Sequence, residues 1–150
     1  MKTVLQRVQR AKVTVAQEVV GQIEKGVLAL TAVERGDTLA DVQTTARKIA
    51  TLRIFPDRKP MDLTLKDVGG ACLLVSQFTI AGDVKKGRRP SFDRAELPQR
   101  ANELYEALAS ELRSHEIPVE TGQFAAKMEV ELVNDGPVTL IITSREGTFV

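Results

Sequence analysis

Apolar and polar residues alternate from the start of the chain: Val4, Gln6 and Val8 interleave with Leu5 and Arg7, and Val13 and Val15 follow a polar break. A period of two is the signature of half-buried strands, so the chain is expected to open with a pair of them. Two more apolar runs, Val19 to Ile23 and Val27 to Val33, are punctuated by Gly21 and Gly26. The second is apolar enough for burial on both faces. Four early strands are therefore predicted. Arg35-Gly36-Asp37-Thr38 then supplies a turn and a helix cap, after which Leu39, Val42, Ala46, Ile49 and Ala50 follow at helical spacing, predicting a helix that ends near Arg53.

Ile54-Phe55-Pro56 and the charged segment to Lys59-Pro60 read as a short strand and a loop, and Gly69-Gly70 precedes a central buried strand from Ala71 to Phe78. Leu97, Ala101, Leu104, Tyr105, Leu108 and Leu112 form the apolar stripe of a second helix, with Pro98 in its first turn. Two closing strands are expected, Met128 to Val133 and Val138 to Thr143, joined by a hairpin turn at Asn134-Asp135-Gly136-Pro137. This order predicts one α/β domain over residues 1–150: a mixed, largely antiparallel sheet or barrel with two helices packed on one side.

Composition narrows the function by exclusion. Lys and Arg total 21 against 20 Asp and Glu, so no global field announces a nucleic-acid or membrane partner, and any such binding must be local. With no apolar signal core and no membrane-length apolar stretch, a cytoplasmic protein is expected. One cysteine and one histidine, Cys72 and His115, make neither an intramolecular disulfide nor a usual zinc site, and no metal or cofactor is expected. His115 sits at the end of the second helix, where interaction with the helix terminus explains it, and Cys72 reads as a small core residue. Gly82 and Gly87 lack the spacing of a nucleotide-binding loop.

Three polar segments remain. Ser76-Gln77-Phe78-Thr79 closes a buried strand, where side chains and backbone N–H groups either form a site at a sheet end or satisfy their own turn. Lys85-Lys86-Gly87-Arg88-Arg89 either faces solvent or offers charge to a phosphate backbone. Asn134 to Thr139 by itself is a turn.

Taken together, Leu5-Gln6-Arg7-Val8, Ser76-Gln77-Phe78-Thr79, Lys86-Gly87-Arg88-Arg89-Pro90-Ser91-Phe92, Gly122-Gln123-Phe124 and Asn134-Asp135-Gly136-Pro137-Val138-Thr139 resemble the D-aminoacyl-tRNA deacylases, in order and over nearly the whole chain. The resemblance implies a homodimer that hydrolyses the ester joining a D-amino acid, or glycine, to the 3′ acceptor end of tRNA, with neither membrane nor DNA as partner. It assigns Ser76, Gln77, Phe78 and Thr79 to the catalytic pocket, and Gly136 and Pro137, joined by a cis peptide, to the pocket of the partner subunit. Such a backbone wedge tolerates hydrogen or a D side chain and rejects an L side chain by exclusion. Arg7 is expected to brace the dipeptide, though by itself it reads as an exposed strand arginine; Phe124 and Met128 are expected to line the adenosine end or simply pack in the core, and Lys85, Lys86, Arg88 and Arg89 to contact tRNA. With no histidine or cysteine nucleophile, the implied chemistry is backbone polarisation assisted by the terminal ribose hydroxyl.

The match has departures. Ile80 stands where leucine is common, Lys127 where an acidic residue is frequent, and the loop from Pro56 to Asp62 is about one residue short, with Pro60 and Asp62 in place of frequent lysine and asparagine. Phe78 and Val138 argue against the related clade that corrects L-alanine. Two other functions fit the same features: a non-catalytic RNA-binding module built around the basic loop, and a hydrolase of small D-amino-acid esters.

Overall fold

The computed structural model describes residues 1–150. Strand β1, Lys2–Val15, organises the molecule. It pairs antiparallel with β3, Gly26–Ala32, along its first half and with β2, Glu18–Ile23, along its second, so the first two predicted strands are one continuous element. The polar break at Gln9-Arg10 does not end the strand. The buried face changes just before it, at the consecutive buried residues Arg7 and Val8: Leu5 packs toward the helices, whereas Val8, Ala11 and Val13 pack on the opposite side.

Helix α1, Leu39–Thr51, begins at Thr38, whose backbone N–H donates to Asp41 Oδ2 at 3.0 Å, as in a capping box. Strands β4, Arg53–Phe55, and β5, Leu63–Thr64, form a small separate ribbon. Strand β6, Ala71–Ser76, lies parallel to β3, followed by a short 3-10 turn at Phe78–Ala81, so the predicted strand ends before Phe78. Helix α2, Pro98–Ser114, carries the predicted stripe, with Leu104, Leu108 and Leu112 fully buried. Strand β7, Val119–Thr121, parallel to β6, was not expected because three residues are too few to display a period.

The two closing strands are also one: β8, Glu129–Arg145, runs antiparallel to β1 on both sides of Asn134-Asp135-Gly136-Pro137. Between the pairs Gln6–Thr139 and Val8–Asn134, β1 advances two residues and β8 five, so four residues, Asp135 to Val138, stand against the single residue Arg7, an excess of three. The expected hairpin is therefore a large bulge. A hairpin would lay the two halves side by side, but the length of β1 templates both end to end.

Strand β9, Thr148–Phe149, completes the sheet order β7-β6-β3-β1-β8-β9. The sheet curls until β2 meets β7, where a Cβ on Gly21 would strike the Thr121 carbonyl. One core lies between sheet and helices, joining Leu5, Ala29 and Leu74 to Ile49 and Leu108; the other fills the inside of the curl, joining Val13, Leu28 and Leu73. Burial of β3 on both faces follows from this arrangement, as its sequence predicted. No helix is long and apolar enough to cross a membrane.

Candidate active site

Where β6 ends, the chain leaves the sheet and opens a cleft of about 810 Å³. Ser76, Gln77, Phe78 and Thr79 form one side, Phe124, Met128 and Val130 another, and the start of α2 at Leu97 and Pro98 a third. This volume lies within the range of small-ligand sites. Gln77 stays in register by donating its N–H to the Thr31 carbonyl at 2.8 Å. Phe78 and Thr79 are the first residues of the 3-10 turn, where amide N–H groups have no acceptor within the helix itself. Phe78 is 56% exposed and packs edge-on against Phe92 at 5.1 Å between ring centroids.

The Thr79 hydroxyl accepts a hydrogen bond from Gln77 Nε2 at 3.1 Å and meets no basic group. Cys72 is fully buried below, its thiol pushed up to about 12 by burial. Tyr105 is likewise pushed up to about 12 by burial, and its hydroxyl donates to the Leu74 carbonyl at 2.7 Å. His115 caps the far end of α2, 3.8 Å from Glu111, while the cleft lies at the helix start. The helix length separates them by about 25 Å. Neither the histidine nor the cysteine serves the cleft.

Phe124 and Met128 both line the cleft, and both also pack on a core: Phe124 lies 6.1 Å from the Tyr105 ring, and Met128 adjoins the core inside the curl. Lys127 between them is exposed. Lys85, Lys86, Arg88 and Arg89 are exposed along a loop whose base is closed by paired backbone hydrogen bonds between Asp83 and Ser91, at 2.7 and 2.9 Å. Phe92 sits at that base and lines the cleft, so the basic arm starts beside it.

Gly136 and Pro137 are not part of this cleft. Their peptide bond is cis, both residues are exposed, and the bulge holding them lies three strand positions from β6, about 14 Å across the sheet. Arg7 is 8% exposed, not an exposed strand arginine. Its Nη1 donates to the Ile54 carbonyl at 2.6 Å and its Nε to the Asp135 carbonyl at 3.2 Å, directly behind the dipeptide. On the outer side, Asn134 Oδ1 accepts the Val138 N–H at 3.2 Å. In the sequence Leu97 and Pro98 read only as the start of a helix, and nothing marks Ala95 to Pro98 as a cleft wall, because an amphipathic stripe identifies only the face a helix buries, not what its end encloses.

Known proteins share this architecture. The family profile described as D-Tyr-tRNA(Tyr) deacylase matches residues 4–143. A D-aminoacyl-tRNA deacylase of Exiguobacterium sibiricum is 57% identical over 143 residues, covering 95% of this chain and 99% of its own. Another, from Koribacter versatilis, is 52% identical over 147 residues, covering 97% and 99%. Among solved structures, the c-Myc DNA Unwinding Element Binding Protein superposes with a TM-score of 0.90 at 37% identity, covering 96% of this chain and 99% of its own. A probable eukaryotic D-amino acid tRNA deacylase shares the fold, with a TM-score of 0.81 at 17% identity over 93% of this chain and 97% of its own. The chain thus belongs to the D-Tyr-tRNA(Tyr) deacylase family, hydrolases that bind tRNA and release a D-amino acid from it in the proofreading of translation.

Proposed function

We propose that the cleft receives the 3′ acceptor end of a D-aminoacyl- or glycyl-tRNA, and that a second copy of the chain supplies Gly136 and Pro137 to it. The observation that carries this reading is a separation. The Ser76–Thr79 segment opens into a cleft that the dipeptide of the same chain does not line, while the dipeptide projects from a braced bulge with nothing of its own chain in front of it. An apolar row supports the pairing of copies. Ile141, 72% exposed, stands opposite Val4, then Leu30, then Val75 at the cleft. A two-fold interface along that row uses the same patch on both subunits and makes two equivalent sites.

In this arrangement the partner's backbone at Gly136-Pro137 occupies the space an L side chain needs, so selection works by exclusion. Water attacks the ester carbonyl, the bond to the ribose oxygen breaks, and that oxygen takes up a proton as the amino acid leaves. Amide N–H groups of Phe78 and Thr79 stabilise the oxyanion, and the neighbouring ribose hydroxyl helps to activate water. Thr79 is not a nucleophile here, since its hydroxyl faces an amide rather than a base. Phe124 and Met128 hold the adenosine. Lys85, Lys86, Arg88 and Arg89 contact acceptor-end phosphates in a sequence-tolerant manner.

Matched D-tyrosyl- and L-tyrosyl-tRNA test the selectivity: rapid loss of only the D ester supports the reading, and equal loss of both overturns it. Complementation tests the shared site. Phe78→Pro, which removes one of the two amide donors at the first residue of the 3-10 turn, and Pro137→Ala, each impaired alone, recover about a quarter of wild-type activity when subunits are exchanged, because half the dimers are mixed and each has one intact site. No recovery in demonstrably mixed dimers overturns the in-trans assignment.

A further inference from the structure

Three arginines gather where β3 runs out. Arg94 and Arg145 face the Glu34 carboxylate at 3.1 and 3.8 Å, and Glu34 itself is 3% exposed. Arg35 is different, for it lines the cleft and pairs with no carboxylate. Its backbone N–H donates to the Arg94 carbonyl at 2.9 Å and its side-chain Nε to the Ala95 carbonyl at 3.3 Å. These bonds fix the stem and leave both terminal amino groups of the guanidinium without a protein acceptor. The other charged residue of the lining, Glu96, turns its carboxylate to the Leu97 amide at 2.8 Å. A planar fork anchored at one edge is suited to a phosphate, which accepts two parallel hydrogen bonds.

Size decides which phosphate. A cleft of about 810 Å³ is a site for one small ligand, so an aminoacylated nucleoside fills it and the rest of the RNA leaves across its rim. We infer that Arg35 binds the phosphodiester linking the terminal adenosine to the nucleotide before it. This rests on the reading that the cleft takes the acceptor end. The exposed loop from Lys85 to Arg89 would then serve phosphates farther along the strand, leaving Arg35 as the cation at the first one.

Two substrates isolate this contact. D-tyrosyl adenosine and the D-tyrosyl dinucleotide CpA carry the same ester, and only the second carries the phosphodiester. Wild-type protein is expected to prefer the dinucleotide in kcat/KM. Arg35→Ala lowers that preference about five- to tenfold, and Arg35→Lys keeps part of it. The slope of log kcat/KM against log salt on the dinucleotide becomes shallower by about 0.7, the value for one single-stranded phosphate contact. A fall in both rates that leaves the preference unchanged overturns the inference, since bracing of the cleft wall affects both substrates alike. Equal rates on the two substrates with wild-type protein overturn it too, without touching the acceptor-end reading. Wild-type inactivity on both substrates and on D-tyrosyl-tRNA alike overturns that reading and this inference together.

Discussion

Arg7 Nη2 stands 2.9 Å from the point a Cβ on Gly136 would occupy. The guanidinium and the glycine Cα therefore share one space, and neither tolerates enlargement of the other. Gly136 also has φ +120, in the region that side chains on L residues disfavour. Because Arg7 lies in β1 and Gly136 in β8, this contact couples the shape of the bulge to the strand behind it.

Replacing Gly136 by alanine is expected to displace Arg7 and strain the backbone, at a cost of about 1–3 kcal/mol. Thermal unfolding should show the loss, and D-aminoacyl-tRNA hydrolysis should fall by more than stability alone explains. An alanine variant as stable and as selective as wild type would remove the close contact from the account of the site.

The partners of Arg7 rank its interactions. Arg7→Ala leaves the Ile54 and Asp135 carbonyls without this donor and should cost about 1–3 kcal/mol. Asp135→Ala removes only a half-exposed carboxylate 3.2 Å from Arg7 Nε and should cost about 0–1 kcal/mol. Arg7→Lys should resemble the alanine variant in activity, because an ammonium cannot span both carbonyls. Urea unfolding with parallel deacylation assays checks the order, and a larger effect at Asp135 would reverse it.

Asp41 gives acid sensitivity to the start of α1. Burial raises its carboxyl, but hydrogen bonds from the Thr38 and Gly147 amides outweigh that and hold it below the ordinary 3.8. The unfolded chain therefore binds this proton more readily, and the resulting stability is present above pH 3.8 and lost as pH falls through the lower folded value. Asp41→Asn should cost about 1–2 kcal/mol at pH 7, with the difference from wild type shrinking as pH drops below 3.8. Asp37, pushed upward by burial, contributes with the opposite sign but is common to both proteins. A difference in unfolding free energy that stays constant between pH 7 and pH 3 would rule out this role for Asp41.

Cys72 is completely buried, with its thiol pushed up to about 12 by burial, so little thiolate is available to react at neutral pH. A colourimetric thiol reagent should label the folded protein no faster than it unfolds, and deacylation should survive prolonged exposure. Rapid stoichiometric labelling without loss of structure would show that β6 opens locally.

Local sequence determined the elements that carry their own signals. The stripe of α2, the cap at Thr38, the apolar run of β3 and the bounds of β2 depend on neighbours within a few residues, so periodicity and turn chemistry reveal them. The segment Ser76–Thr79 was legible as the end of a buried strand for the same reason, and its likeness to known motifs gave it a chemistry. Long-range pairing decided the rest. Asn134 to Pro137 has the composition of a turn, and only β1, pairing on both sides of it, keeps the chain running straight and makes a bulge. Arg7 looks like an outward strand residue until β4 supplies the Ile54 carbonyl and the bulge supplies Asp135. The cleft arises where the end of β6, the start of α2 and the segment after β7 converge, and no spacing within any one of them encodes that meeting. A chain writes its local preferences residue by residue, whereas which buried groups and open faces confront one another is settled only when distant strands choose partners and register.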